Sequence, residues 1–362
     1  MPVALLTGAT GLIGGELCRL LVAHGWGVIV LVRGDAPILG NDGFSISASI
    51  YAGLAPSVGE VLRLTGDIGQ HGCGLEPATA SNLGTQIDLV IHCAASTAFN
   101  ATDDYYMQTN VAGTAHVLAL GGNKPFLHVS TAYVCGQRDG PIAETACAPD
   151  TLFANGYERS KAAAEALVAQ SGRPWLIARP SIVVGSASNG QIRRFDSIYG
   201  AFKLLAEGRI KVIPATADAS LNFVPVDFVA DALAKLAAGK DNFAGAFAHI
   251  CADRSLPVTA LLKAIRAHPA LRAPGLVEPR DFDMNRLLKT ERIWFEHVLK
   301  YYLPYFQRAP DFATDNIKRL IGLQCPTIDQ EILGKLIGYA IAVGFLRTAA
   351  AAAPAKNNLQ LA

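Results

Sequence analysis

The chain has 362 residues, of which 51% are hydrophobic and 17% charged, enough to bury a large core and far from a disordered composition. Lys plus Arg number 31 and Asp plus Glu 30, a formal charge of +1, so no global field draws nucleic acid or acidic lipid, and no basic cluster with interleaved aromatics occurs. The seven cysteines are scattered and form no CxxC pair, which argues against a disulfide framework or a zinc site and for a reducing, cytoplasmic setting.

The first residues, MPVALLTGAT, carry no basic n-region and run straight into a strand and a glycine motif, so a signal peptide is not expected. No run approaches the ~18 apolar residues of a membrane span. The longest late run, 336–346, contains two glycines and reads as a buried helix end, with peripheral membrane contact left open.

In chain order, strands are expected at 3–6, 28–32, 61–64, 87–92, 126–130 and 175–178, and helices at 12–23, 105–120 and 154–170. Strands alternating with helices of this length predict βαβ units, hence a doubly wound parallel sheet of the Rossmann type with ligands at its carboxyl edge. Residues 34–60, rich in Gly, Ser and Ala, read as an insertion. The dinucleotide-binding domain is expected over 1–180 with returns at 222–250, and a smaller, mostly helical substrate lobe over 181–221 and 251–345. Residues 346–362 read as a flexible tail.

The segment TGATGLIG, residues 7–14, lies between the first strand and the first helix. Its GxxGxxG spacing makes Gly8, Thr10, Gly11, Leu12, Ile13 and Gly14 candidates to hold a pyrophosphate at the helix N-terminus, where free N–H groups and the helix dipole favour an anion. Gly8 would permit the sharp turn and Gly14 the close packing of helix on strand. At the end of the second strand Arg33 stands where an NAD site usually has an acid, which favours a 2′-phosphate and so NADPH; Asp35, two residues on, argues the other way. Asp67 and Ile68 follow the third strand, where they would meet adenine, although Asp67 could equally cap a helix. His92-Cys93-Ala94-Ala95 ends the fourth strand, and its small residues, Ala94 among them, would let the nicotinamide half pass over the backbone.

Tyr157 and Lys161 are four residues apart on a predicted helix and share a face. A phenol with an ordinary pKa of about 10 exchanges protons poorly at neutral pH; a nearby ammonium lowers that value. Tyr157 is therefore the candidate proton donor and Lys161 its partner. Thr131, at the carboxyl end of the 126–130 strand, is the candidate hydroxyl for a substrate carbonyl, with Ser130 as runner-up. Asn110, in a helix otherwise rich in Ala and Val, could kink that helix and hold a relay water beside the lysine, or could simply be satisfied in the core. No HExxH, metal-ligand cluster or GxSxG elbow is present, so no metal site is expected.

The motifs TGATGLIG (7–14), HCAA (92–95), TNVAGT (109–114), STAYVCG (130–136) and YERSK (157–161) together resemble the extended short-chain dehydrogenases/reductases; the interval from hydroxyl to tyrosine is 157 − 131 = 26 residues. LVRG (31–34), HCAASTAF (92–99), ARPSIVVGSASNG (178–190) and NFVPVDFVADAL (222–233) further resemble the branch of fatty acyl-CoA reductases and terminal thioester reductase domains. That resemblance implies Thr131, Tyr157 and Lys161 as catalytic residues, NADPH as donor, and an acyl thioester, carried by CoA or acyl carrier protein, as substrate reduced to aldehyde or alcohol. Three alternatives share the fold: an epimerase or dehydratase of nucleotide-linked sugars with bound NAD, a plain alcohol or ketone dehydrogenase, and a non-enzymatic cofactor-sensing scaffold. Chain length, carrier, end product and oligomeric state are not legible in the sequence.

Overall fold

The computed structural model describes residues 1–99 and 101–347; most of the expected tail, 348–362, lies outside the described residues. Eight parallel strands form one sheet: β1 (Val3–Thr7), β2 (Gly27–Val32), β3 (Ser49–Ile50), β4 (Val61–Thr65), β5 (Leu89–His92), β6 (Phe126–Val129), β7 (Trp175–Pro180) and β8 (Ala246–Ile250). Their order is β8-β7-β6-β5-β1-β2-β4-β3. The runs VALLT and GVIVLV are buried along their whole length, as a sheet covered on both faces requires. The order reverses between β1 and β5, so the crevice for a ligand opens beyond Thr7 and His92.

In the first half, helices α1 (Leu12–Ala23), α2 (Pro77–Gln86), α3 (Asp103–Tyr106), α4 (Gly113–Leu120) and α5 (Gly156–Ala169) wind between strands. In the second half come α6 (Ile198–Ala206), α7 (Val226–Ala238), α8 (Val258–Ala267), α9 (Lys289–His297), α10 (Asp315–Ile321) and α11 (Gln330–Ala342). One face of the sheet is covered by α1, α7 and α10, through Leu17, Val229 and Ile317. The opposite face is covered by α2, α4 and α5, through Leu83, Val117 and Val168. A separate apolar core, built from α6, α8, α9 and α11, packs against Tyr133 and Cys135 of the loop after β6. No helix among the described residues is long and apolar enough to cross a membrane.

The structure differs from the sequence-based expectation in three places. The helix expected over 105–120 is interrupted: Met107–Ala112 forms a π-helical turn between α3 and α4, with the buried Asn110 inside it. The 34–60 insertion contributes β3, a short exposed edge strand, to the sheet. Residues expected in the lobe return to the first domain: Pro310–Phe312 pairs with Gly140–Ile142 in a separate two-stranded sheet, and α10 packs its Ile317 beneath β8 and α7. The apolar side of a seven-residue helix has too little periodicity to announce which core receives it.

Candidate active site

Gly8, in the turn after β1, and Gly14, in the first turn of α1, tolerate no side chain. Gly8 has φ +76°, and a Cβ there would lie 2.7 Å from the Ala94 nitrogen. A Cβ on Gly14 would lie 2.2 Å from the Gly8 carbonyl oxygen. The Thr7 hydroxyl ties the two strand ends, accepting from Ala94 N at 3.1 Å and meeting His92 Nδ1 at 2.8 Å. Gly11 caps α1 without a side-chain hydrogen bond, and the first turn has no acid, so its N–H groups face the crevice without a competing anion.

Two cavities, of about 450 and 320 Å³, share the walls Gly8, Gly11, Cys93, Ala95 and Arg194. Thr10, Arg33, Asp67, Ile68 and Ala94 line the larger one. Leu12, Ile13, Gly14, Thr131 and Tyr157 line the smaller. Arg33 is exposed, and Asp35 lines neither cavity. The Asp67 carboxylate accepts from Gly69 N at 2.9 Å and so shapes its own loop.

Tyr157 sits in the first turn of α5, whose N-terminus is capped by Asn155 accepting from Glu158 N at 2.9 Å. Its phenol borders the cavity next to Phe99, with ring centroids 5.9 Å apart. Enclosure by the surrounding protein pushes the phenol's pKa up; the Thr131 hydroxyl beside it works in the opposite sense. Thr131 caps the short helix Ala132–Cys135, accepting from Tyr133 N at 3.3 Å. The Ser130 hydroxyl is buried without a partner, so it is not spent on the loop backbone as its type usually is.

Lys161 and Asn110 line neither cavity. The Lys161 ammonium is buried behind the tyrosine, donating to Val129 O at 2.8 Å and contacting His128 Nε2 at 3.2 Å. Burial lowers its pKa to about 8, against a smaller opposing effect of Glu165. One helical turn puts Lys161 on the face of α5 that carries Tyr157, and β6 supplies the two hydrogen-bond partners of its ammonium. The Asn110 amide is fully engaged, accepting from Ser96 N at 2.7 Å and donating to Ser96 O and Ser160 Oγ at 3.1 and 2.9 Å. It ties the loop at Ser96 to α5 at Ser160, the residue before Lys161. Burial raises the Cys93 pKa to about 11, so this cavity-lining thiol stays protonated at neutral pH. Among the described residues no group of three or more His, Cys, Asp or Glu side chains could hold a metal ion.

Sequence reasoning missed three features. Arg193 donates to the Gly11 and Thr10 carbonyls at 2.9 and 3.3 Å, clamping the glycine loop from the segment after residue 185, and Asn41 of the insertion accepts from its backbone N–H at 3.1 Å. Arg194 is ion-paired to Asp196 at 2.9 Å and stands where the two cavities meet. Arg308 reaches the active-site helix: it pairs with Glu158 at 2.7 Å, both side chains being buried, and its guanidinium lies 4.7 and 4.5 Å from the ring centroids of Tyr133 and Tyr305. The doublet Arg193-Arg194 was a visible signal; nothing local marks Arg308, which is 150 positions from its partner.

Residues 6–233 match the family model described as male sterility protein. The chain is 29% identical over 270 residues to fatty acyl-CoA reductase 1 of Xenopus laevis, covering 62% of this chain and 52% of that protein. It is 28% identical over 277 residues to a carboxylic acid reductase of Segniliparus rugosus, covering 66% of this chain and 23% of that protein. The chain thus spans only part of the length of these curated relatives. Among solved structures, the terminal R domain from the myxalamid PKS-NRPS biosynthetic pathway superposes with a TM-score of 0.77 at 23% identity, covering 96% of this chain and 92% of that one. MoeE5 in complex with UDP-glucuronic acid and NAD superposes with a TM-score of 0.66 at 20% identity, covering 94% and 99%, a likeness of fold. With the matched region running from the end of β1 into α7, the chain belongs to the male sterility protein family.

Proposed function

We propose that the protein is an NADPH-dependent reductase of acyl thioesters, with Tyr157 as proton donor. One observation carries the reading: Tyr157 and Thr131 line the same cavity as the glycine loop, so a phenol, a second hydroxyl and a dinucleotide cradle share one space. The residues suit the cofactor, because Gly8 and Gly11 line both cavities at the uncapped N-terminus of α1, and the exposed Arg33 lines the larger cavity, where an arginine can meet an adenosine 2′-phosphate. Bound there, the nicotinamide would supply a hydride to the thioester carbonyl carbon. Tyr157 donates its proton to the carbonyl oxygen as negative charge grows on it, and Thr131 donates a hydrogen bond to the same oxygen. The resulting thiohemiacetal collapses to aldehyde and free thiol, and a second reduction would yield the alcohol. Cys93, held as a thiol, takes no part. The relatives' names, fatty acyl-CoA reductase and carboxylic acid reductase, support the substrate class.

The test is consumption of NADPH with a long-chain acyl-CoA or acyl carrier protein thioester, with aldehyde, alcohol and thiol measured as products. Turnover of a simple ketone without any thioester reduction would overturn the substrate class. Purification with tightly held NAD⁺ and preference for it would favour a sugar-nucleotide epimerase instead.

A further inference from the structure

We propose that His128 is the positioning residue for Lys161, holding the ammonium by accepting a hydrogen bond from it. The proposal rests on the reading of Tyr157 as proton donor and takes Lys161, one turn along the same helix, as its partner. His128 is the second-last residue of β6, a four-residue strand whose other members are Phe126, Leu127 and Val129, and its side chain is completely buried. Packing alone would favour an apolar residue there.

An ammonium has three donors and no acceptor. At 3.2 Å from Lys161 Nζ, the His128 Nε2 must therefore present its lone pair, which places the ring proton on Nδ1. Among the described residues that Nδ1 has no hydrogen-bond partner, so the polar contact that the ring makes lies on the Nε2 side. The surrounding groups are consistent with this assignment. On β5, the His92 ring centroid is 5.4 Å from that of His128; His92 is engaged by Thr7 at 2.8 Å and Thr114 at 3.1 Å, and burial keeps it neutral. Cys93 remains a thiol. On α5, Glu165 is committed to Arg179 of β7 by two hydrogen bonds, at 2.9 and 2.7 Å. Tyr157 lies a turn away on the same helix, and Asn110 is occupied by Ser96 and Ser160. The polar side chain in direct contact with the ammonium is thus His128. Burial holds it well below the ordinary imidazole range, so it is an acceptor, not a second cation.

The consequence is directional. Val129 O and His128 take two of the ammonium's three hydrogens and leave one. His128 thereby sets where that last donor points and helps keep the buried amine protonated.

The experiment compares the wild type with His128→Gln, His128→Asn and His128→Leu. Glutamine places an amide oxygen near the position of Nε2; asparagine is too short, and leucine has no acceptor. The Lys161 titration is followed by NMR of lysine labelled at Cε, with Lys161→Ala identifying the signal, and the pH dependence of kcat/KM is measured alongside. In the leucine and asparagine variants the lysine should titrate at least about one pH unit lower, a tenfold change in its ionisation constant, and the alkaline limb of kcat/KM should shift equally. Glutamine should restore both. Identical titration in all four proteins, or a glutamine variant that behaves as leucine does, would overturn the proposal. The asparagine–glutamine comparison keeps the test decisive if leucine does not fold. A wild type inactive on every thioester would count against the proposed function alone, because the NMR titration needs no substrate.

Discussion

Arg308→Met is the substitution that most directly tests how the C-terminal half holds α5, the helix that carries Tyr157. The guanidinium is 3% exposed and donates at 2.7 Å to Glu158, which is 0% exposed and directly follows Tyr157. Arg308 also donates to the Gly136 carbonyl at the end of the Thr131 loop. Without it, the Glu158 carboxylate would keep the Tyr305 hydroxyl at 2.9 Å and the Ala154 N–H at 3.0 Å, but no countercharge. Breaking a buried pair from one side costs about 3–5 kcal/mol, because the remaining charge stays desolvated. The two ring contacts, at 4.7 and 4.5 Å, add a smaller term, about 0.5–2 kcal/mol each for a cation over an aromatic face. Methionine recovers part of that through sulfur–aromatic contact, ~0.3–1.5 kcal/mol. The expected loss is therefore about 3–5 kcal/mol, read as a lower urea midpoint. Adding Glu158→Gln removes the stranded charge, so the double variant should be more stable than Arg308→Met alone. A single-variant loss below about 1 kcal/mol, the level of an exposed pair, would refute this reasoning, as would a double variant that loses the sum of both singles.

Tyr157→Phe should lower kcat by about 10²–10⁴-fold, the usual worth of a positioned proton donor, while cofactor binding followed by NADPH fluorescence is retained; substantial turnover would remove the phenol from the chemistry. Arg33→Ala should weaken NADPH binding by about tenfold to a hundredfold, the range of a charge-assisted hydrogen bond of ~1.5–3 kcal/mol, and leave NADH binding unchanged; equal loss for both cofactors would count against a 2′-phosphate contact. Because burial lowers Lys161 to about 8, its ammonium is present at pH 7 and lost as pH rises through that value, so kcat/KM should fall on an alkaline limb near pH 8. A profile flat to pH 10 would show that the ammonium is dispensable.

Much of the sheet was legible because its signals are local. Runs such as VALLT and GVIVLV are apolar throughout, the mark of strands buried on two faces, and they alternate with helical stretches. The glycine loop was legible for the same reason: Gly8 needs a positive φ and Gly14 an absent side chain, and both demands fall within eight consecutive residues. Tyr157 and Thr131 could be named from their order in the chain, and both face the cavity. Lys161 illustrates the limit of spacing arguments. A separation of four residues determines which helix face carries the ammonium, whereas β6, 32 positions earlier, determines what the ammonium touches. Asn110 was ambiguous for a similar reason, since its hydrogen-bond partners come from a loop 14 residues before it and a helix 50 residues after it.

The amino-acid sequence by itself determined the parallel α/β architecture, the dinucleotide cradle and the identity of the phenol and hydroxyl that face it. Each of these depends on backbone conformation or apolar period within one turn or one strand. Tertiary structure alone decided that α10 returns to the sheet, that Arg193 clamps the glycine loop, that Arg308 neutralises Glu158 and that His128 receives Lys161. Those contacts join residues tens to hundreds of positions apart, and a buried charge or ring nitrogen selects its partner by proximity after the chain has folded, which no periodicity or short motif records.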